Sequence, residues 1–202
     1  MSVFKKFPKT FWVANTVELF ERWAWYGLFN VLAIYLTAST DTGALGFTQT
    51  QKGMLMGIIT AAVYFLPVFT GAIADKIGFK ISLLIAIVLY FSGYILMGQM
   101  TTYTSVFMTF GIIGLGAAMF KPVISATVAK TTTKETSSLG FGIFYMMVNL
   151  GALIGPVVSS KLRENAWSYV FISSAAAIAI NFMLVIFLYK EPQREKNTDS
   201  LK

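Results

Sequence analysis

The sequence predicts an all-α membrane protein with six transmembrane helices. Its 202 residues are 56% hydrophobic and only 12% charged, about half the share of roughly 25% that is usual in a soluble domain. Long runs at residues 53–74, 81–120, 136–160 and 165–189 contain no Asp, Glu, Lys or Arg. Because about 18 uncharged, mostly apolar residues suffice for a spanning helix, these runs place most of the chain in a lipid bilayer.

Six spans follow one another along a predicted transmembrane bundle of residues 1–189. They lie near residues 10–38, 51–75, 80–99, 103–129, 137–160 and 166–189. The run 81–120 is about twice as long as one span, and its polar stretch at residues 98–102 divides it into two helices joined by a short turn. Residues 190–202 are charged and lack an apolar pattern, which predicts a cytoplasmic tail or the start of a central linker.

The basic residues predict the orientation of the bundle. An even number of spans puts both termini on one side, and that side carries eleven cations in its segments against three on the other. The positive-inside rule therefore places both termini in the cytoplasm. The same distribution accounts for the net charge of +7 without a nucleic-acid partner. The cytoplasmic cations are Lys5, Lys6, Lys9, Lys76, Lys80, Lys130, Lys134, Lys190, Arg194, Lys196 and Lys202, and the outer ones are Lys52, Lys161 and Arg163.

The ionisable residues inside the predicted spans are candidates for a functional site. Glu18, Glu21, Arg22 and Lys121 are costly to place in a bilayer, and such residues usually mark a pathway, a relay or a ligand site. Glu18, Glu21 and Arg22 share one helix face, and Glu18 and Arg22 have the spacing of an i, i+4 ion pair. The same stripe continues through Trp25, Tyr26 and Phe29. Since the chain has no cysteine or histidine, any proton carrier is expected to be a carboxylate.

These charges are predicted to lie at a common depth. Glu18 follows Lys9 by nine residues, and Lys121 precedes Lys130 by nine, so each is about 13 Å from the cytoplasmic edge. Only a little deeper are Tyr64 and Asn149. Secondary transporters bind substrate and coupling ion in this slab near the midplane. A purely structural ion pair is the alternative for Glu18 and Arg22, and a simple interhelical hydrogen bond is the alternative for the two uncharged residues.

A short segment between the second and third spans resembles the signature loop of the major facilitator superfamily. Its matching residues are Gly71, Asp75, Lys76, Gly78 and Lys80, which we expect at a tight cytoplasmic turn, and Phe79 replaces a usual basic residue. Within the superfamily, the chain resembles the proton-dependent oligopeptide transporters. Glu18–Arg22 with the following Trp25-Tyr26-Gly27 resembles the ExxER motif of that family, residues 120–125 (FKPVIS) resemble its span-four motif, and residues 144–151 (FYMMVNLG) resemble its span-five motif.

The resemblance implies a transporter rather than an enzyme. It implies proton-coupled symport of di- or tripeptides, or of a related small solute, by alternating access, driven by the proton gradient with no cofactor and no metal. The residues implied in proton coupling are Glu18, Glu21, Arg22 and Lys121. Those implied in substrate binding are Arg22, Trp25, Tyr26, Tyr64, Lys121 and Asn149. The signature loop would take part in the conformational change.

Three positions depart from the peptide-transporter pattern. Phe29 stands where many members carry a second arginine, Trp25 where a tyrosine is common, and Val123 where the span-four motif has asparagine. Residues 151–156 (GALIGP) also resemble part of the span-five motif of drug/proton antiporters. A drug or metabolite antiporter and a non-transporting six-helix scaffold therefore remain alternatives to peptide symport.

The six predicted helices correspond to the amino-terminal half of a superfamily member. Two six-helix halves normally surround one midplane site, so the expected partners are the lipid bilayer, protons, a short peptide or similar solute, and a second half or another copy of the chain. Three alternatives account for a chain of this length: a fragment, a split gene product or a self-associating half. The expected location is the plasma membrane, in particular the bacterial inner membrane.

Overall fold

The computed structural model describes residues 3–192. Over this range the chain forms seven α-helices and two single turns of 3-10 helix, with no strand. The helices are α1 (Lys9–Thr37), α2 (Gln49–Phe65), α3 (Pro67–Ile77), α4 (Phe79–Met97), α5 (Tyr103–Lys130), α6 (Ser137–Leu162) and α7 (Trp167–Phe187). The 3-10 turns lie on either side of α1, at Val3–Lys6 and Thr40–Thr42. The predicted all-α class is confirmed.

The helix ends lie within two residues of the predicted span limits, and local capping explains several of them. Thr48 begins α2 with a capping box, in which its hydroxyl oxygen accepts from the Gln51 N–H at 3.2 Å. In return the Gln51 side chain accepts from the Thr48 N–H at 2.9 Å. Such reciprocal bonds satisfy backbone donors that have no partner inside the helix.

The second predicted span is a bent pair of helices. The axes of α2 and α3 meet at 46°, and the break falls between Leu66 and Pro67. Proline has no N–H to donate and its ring crowds the preceding turn, which explains the bend. The chain continues as helix on both sides because the Leu66 N–H still donates to the Ala62 carbonyl at 2.8 Å.

The surface and the helix lengths are those of a multi-pass membrane protein. Among the described residues, four helices (α4 to α7) are long and apolar enough to cross a membrane, or five when the bent pair counts as one span. Large apolar side chains point outward, including Leu153, Met183 and Phe187, which are 64%, 55% and 70% exposed. The polar run from Glu18 to Arg22 lowers the hydropathy of α1, so a sixth crossing through α1 stays a prediction.

Helix α1 runs through the interior of the bundle. It packs mainly against α6 and α7, while α4 packs against α5 and α7, and α2 and α3 lie along α5. The contact between α1 and α6 depends on glycine. A Cβ on Gly155 would lie 2.5 Å from the Trp23 carbonyl oxygen and 2.8 Å from the Gly27 nitrogen. Small residues allow this backbone-to-backbone approach between membrane helices.

The signature segment is almost entirely helical, which corrects its interpretation as a loop. Gly71, Asp75 and Lys76 lie on α3, and Lys80 lies in the first turn of α4. The expected turn is reduced to Gly78, whose φ of 104° favours glycine. The prediction that Gly71 forms part of the turn is therefore wrong.

A carboxylate from the segment after α7 caps α4. Gly78 has no side chain to serve as a cap, and Glu191 instead accepts from the N–H groups of Phe79 at 2.9 Å and Lys80 at 3.4 Å. In turn, Lys80 Nζ donates to the Ile186 carbonyl near the end of α7 at 2.9 Å. A negative charge at a helix N-terminus and a positive charge at a C-terminus are both favourable. The junction after α3 is thus fastened to the segment that leaves α7.

The predicted tail begins with packed residues. The Thr10 hydroxyl donates to the Lys190 carbonyl at 3.0 Å, and Tyr189, directly before the tail, has its hydroxyl 2.6 Å from that of Thr127. Residues 193–202, which hold most of the predicted tail, lie outside the described part of the chain.

The α1–α6 contact generates the first prediction. Gly155→Ala should lower the thermal stability of the purified protein in detergent, because the new methyl group meets backbone atoms that cannot move aside. Overpacking of this kind costs about 1–3 kcal/mol. Gly142→Ala is the matched control on the same helix, since a Cβ there has nothing within 4 Å. Equal melting temperatures for the two variants would show that the close approach is not required.

Candidate functional site

The first helix places two carboxylates beneath one arginine. Glu18 and Glu21 are buried, at 5% and 0% exposure. Arg22 Nε lies 3.1 Å from Glu18 Oε1 and 2.5 Å from Glu21 Oε2. The ion pair predicted from the i, i+4 spacing is therefore present, and Glu21 joins it. Arg22 Nε thus lies close to both carboxylates, and the Arg22 side chain also lines the adjoining cleft.

A tyrosine from α4 completes the surroundings of Glu21. The Tyr90 hydroxyl donates to Glu21 Oε1, so each carboxylate oxygen has a different partner. The Tyr94 ring stacks on that of Tyr90, with centroids 5.8 Å apart and planes 5° apart. Sequence reasoning missed both tyrosines. Their i, i+4 spacing within a charge-free span was the available signal, because a buried tyrosine hydroxyl usually needs a polar partner.

A cleft of about 160 Å³ opens beside this cluster. It lies between α1, α2 and α5, which are the helices that carry most of the predicted site residues. Its lining includes Arg22, Trp25, Tyr26, Tyr64 and Lys121, together with Phe29, Thr60, Val63 and Ala117. The structure thus brings together five of the six residues predicted to bind substrate.

Two cations face this cleft. Lys121 Nζ lies 5.0 Å from the centre of the Tyr64 ring, and Arg22 Cζ lies 5.8 Å from that of Tyr26, distances at which a cation is attracted to the ring face. Within the described residues, no carboxylate lies within 4.0 Å of the Lys121 ammonium. The cleft is therefore lined by an ammonium group and by the side chain of an arginine, groups that attract an anion.

An aromatic wall borders the cations on α1. Trp25 stacks on Phe29 at 5.6 Å between ring centres and 13° between planes. On its other side Trp25 stacks on Phe110 of α5 at 6.3 Å and 20°. Phe29 thus contributes an apolar surface where the resemblance led us to look for a second arginine, and the cations that line the cleft are Arg22 and Lys121.

Asn149 lies apart from the cleft. It is exposed on α6 and is not among the residues that line the cleft. The residues of the signature segment lie at the far end of α3, where Gly71 and Asp75 border a smaller cavity with Pro122 and Val123 of α5. The structure does not bring Asn149 or this segment to the charged cluster.

The family model of the Major Facilitator Superfamily matches residues 16–202. Among curated proteins, an uncharacterised transporter of Bacillus subtilis is 28% identical over 183 residues, covering 89% of this chain and 37% of that protein. A di-/tripeptide transporter of Lactococcus lactis is 31% identical over 177 residues, covering 85% and 35%. The chain thus spans little more than a third of the length of these relatives.

Solved structures of similar fold include POT family transporters. A crystal structure of a POT family transporter in complex with a thioalcohol-conjugated peptide superposes with a TM-score of 0.84 at 26% identity. It is matched over 93% of this chain and 41% of its own length. The fold of this chain is therefore that of one part of such a transporter.

The buried ion pairs generate the second prediction. Arg22→Gln should strongly lower thermal stability in detergent, because it leaves two buried carboxylates without their cation. Removing one partner of a buried pair typically costs about 3–5 kcal/mol. Adding Glu21→Gln should restore part of the loss by removing one of the unpaired charges.

The control for this cycle is Lys6→Gln. Lys6 Nζ lies 3.8 Å from Glu135 Oε2 with both side chains exposed, and such surface pairs contribute little. If Arg22→Gln melts at the same temperature as Lys6→Gln, the buried cluster does not hold the bundle together.

Proposed function

The chain belongs to the Major Facilitator Superfamily, and from this premise we propose that it forms the amino-terminal half of a proton-coupled transporter for short peptides. The superfamily is one of transporters and not of enzymes. The observation that carries the proposal is the placement of Glu18 and Glu21 under Arg22, at the edge of a cleft that also holds Lys121. Named relatives that transport di- and tripeptides support the substrate class.

Proton coupling follows from the balance of charge in the cluster. Two carboxylates share one arginine, and Lys121 supplies the second positive charge from across the cleft. When a proton from solution adds to Glu18 or Glu21, Arg22 loses one of its anionic partners. The guanidinium is then free to bind the carboxylate of a substrate together with Lys121. Release of the proton to the other side of the membrane restores the ion pairs and expels the substrate.

The substrate contacts are assigned to the cleft and to α6. Arg22 and Lys121 hold the carboxylate, while Trp25, Tyr26 and Tyr64 contact the body of the peptide. Asn149 is exposed on α6, and we assign it a substrate contact in the complete transporter, where a second half would close over this face. The signature segment would act in the conformational change, since the start of α4 that follows it is bonded to Ile186 near the end of α7 and to Glu191 beyond it.

A second six-helix wall is part of the proposal. Alternating access requires two bundles around one midplane site, and this chain supplies one of them. Apolar and aromatic side chains of α2, α3 and α6 are open to the outside, including Tyr64 at 70% and Tyr145 at 60% exposure. A complementary half, or another copy of the chain, would cover them.

The proposed setting is the bacterial inner membrane, with both termini in the cytoplasm. The excess of Lys and Arg in the segments at one end of the bundle supports this orientation. The named relatives are bacterial, which supports the assignment to a bacterial membrane.

Uptake by sealed vesicles tests the proposed function. Vesicles that contain this chain with its complementary half should accumulate a labelled dipeptide when an inward proton gradient is imposed. Unlabelled dipeptides should compete, whereas unrelated drugs should not. Efflux of a drug in exchange for the inward-moving protons would instead indicate an antiporter. Absence of any transport by a folded assembly would indicate a scaffold.

Lys121 generates a separate prediction for this assay. Lys121→Ala should abolish accumulation driven by the proton gradient, because the cleft loses the cation that balances the second carboxylate. Exchange of labelled for unlabelled peptide at equal pH should partly survive, since Arg22 and the aromatic contacts remain. Lys52→Ala is the control, because Lys52 lies in the first turn of α2, donates to Gln49 and does not line the cleft. Accumulation at the wild-type rate by Lys121→Ala would contradict the role of Lys121.

A further inference from the structure

The cleft beside Arg22 has a charged part and an apolar part. Its cations are Arg22 and Lys121, and its lining continues through Trp25, Phe29 and Ala117. The proposed transport mechanism uses the cations and gives Phe29 no role. The apolar part is therefore the feature of this site that the mechanism leaves unexplained.

The rings of Trp25 and Phe29 are held in a fixed orientation. They stack on each other with centres 5.6 Å apart and planes 13° apart, and both pack against the buried core. Phe110 of α5, which is 1% exposed, supports the Trp25 ring at a distance of 6.3 Å between centres. A solute that contacts rings already ordered in this way loses little free energy in immobilising them.

This pair of rings begins close to the cations. Trp25 and Phe29 follow Arg22 on α1 by three and seven residues, which corresponds to about 4.5 and 10.5 Å along the helix axis. All three side chains line the same cleft. A solute whose carboxylate is bound by Arg22 and Lys121 therefore meets the two rings within one or two helical turns of that carboxylate.

The size of the cleft limits what can occupy it. Its volume is about 160 Å³, and a cavity of about 150 Å³ in another protein accommodates benzene. One turn away from Tyr64 and Lys121, α2 and α5 contribute the short side chains of Thr60 and Ala117 to the lining. The cleft thus has room for about one ring-sized group. The side chain on the carbon that carries the carboxylate is the group that covalent geometry keeps nearest to the two cations.

We propose that Phe29, together with Trp25, determines specificity at this site by binding a large apolar or aromatic side chain on the residue of the solute that carries the free carboxylate. In a dipeptide this is the carboxy-terminal residue. For peptides as the solute the inference rests on the proposed function, whereas the recognition of a ring beside a carboxylate does not. Contact with the stacked rings buries apolar area and adds an aromatic contact, which together correspond to about a tenfold gain in affinity.

Calorimetric titration of the purified assembly, which contains this chain with its complementary half, tests the inference without a proton gradient. Ala-Phe should bind about tenfold more tightly than Ala-Ala. It should also bind more tightly than Phe-Ala, which carries the same ring on the residue without the free carboxylate. Equal affinities for the three dipeptides would overturn the inference, and so would a preference for Phe-Ala over Ala-Phe.

Variants of Phe29 test whether this residue is the source of the preference. Phe29→Ala should lower the ratio of Ala-Phe affinity to Ala-Ala affinity about threefold or more, because one of the two rings is lost. Phe29→Leu keeps a large apolar side chain for packing and should lower the ratio by a smaller factor. A purely structural role would weaken both dipeptides alike, so an unchanged ratio in the folded variants would contradict the proposal.

Phe20→Ala is the matched control on the same helix. Phe20 stacks on Trp23 and does not line the cleft, so the ratio of affinities should equal that of the wild type. A fall in the ratio as large as that of Phe29→Ala would show that the preference does not arise from the cleft.

The compound 3-phenylpropionate, which has a ring and a carboxylate but no peptide bond, separates this inference from the proposed function. It should bind more tightly than propionate, and Phe29→Ala should reduce the difference. If this pattern holds while vesicles accumulate no dipeptide, the proposed function fails and the aromatic subsite stands. If vesicles accumulate Ala-Phe and Ala-Ala with the same KM, and the ratio of affinities does not depend on Phe29, the proposed function stands and the subsite is refuted.

Discussion

An ionised side chain inside a bilayer needs its partners from the protein, and this requirement organises the bundle around Arg22. Two carboxylates of the same helix lie within 3.1 Å of its Nε. Tyr90 of α4 uses the remaining oxygen of Glu21, and Lys121 of α5 faces the adjoining cleft. The charged residues of α1 make it poorly suited to contact with lipid. Ion pairs and hydrogen bonds, as well as apolar packing, thus hold α1 among its neighbours.

The close approach of α6 serves the same cluster. A Cβ on Gly151 would lie 2.7 Å from the Cβ of Arg22 and would also collide with the Leu19 carbonyl oxygen. The backbone of α6 therefore covers α1 at the very turn that carries the charges and keeps lipid away from it. With that side closed, the Arg22 side chain extends toward α2 and α5, where the cleft lies. Small residues on one helix in this way orient a charged residue on another.

The sequence predicted what depends on local spacing and on composition. The helix limits and the pair between Glu18 and Arg22 follow from neighbouring residues, and the structure contains both. The features that it did not predict join residues far apart along the chain. Glu191 caps α4 from more than a hundred positions away, and Tyr90 reaches Glu21 across 69. The spacing of the tyrosines signals that a buried hydroxyl needs a polar partner, but no pattern identifies that partner, because the pairing depends on how the helices assemble. Asn149 shows the same limit, since its depth was inferred but the direction it faces was not.

In the proposed cycle, an excess of carboxylates over the arginine they share would make proton and substrate binding interdependent. Arg22 has three possible anionic partners in the proposed cycle, namely Glu18, Glu21 and the substrate carboxylate. Neutralising one carboxylate weakens its hold on the guanidinium, so a proton increases the affinity for the substrate anion. By linkage, the bound anion increases the affinity for the proton to the same degree. If Arg22 were paired with a single carboxylate, protonation of that carboxylate would leave Arg22 without an anionic partner. With two carboxylates, the helix keeps one ion pair throughout. Under the proposed function, the second carboxylate would therefore permit coupling without loss of the ion pair that supports the helix.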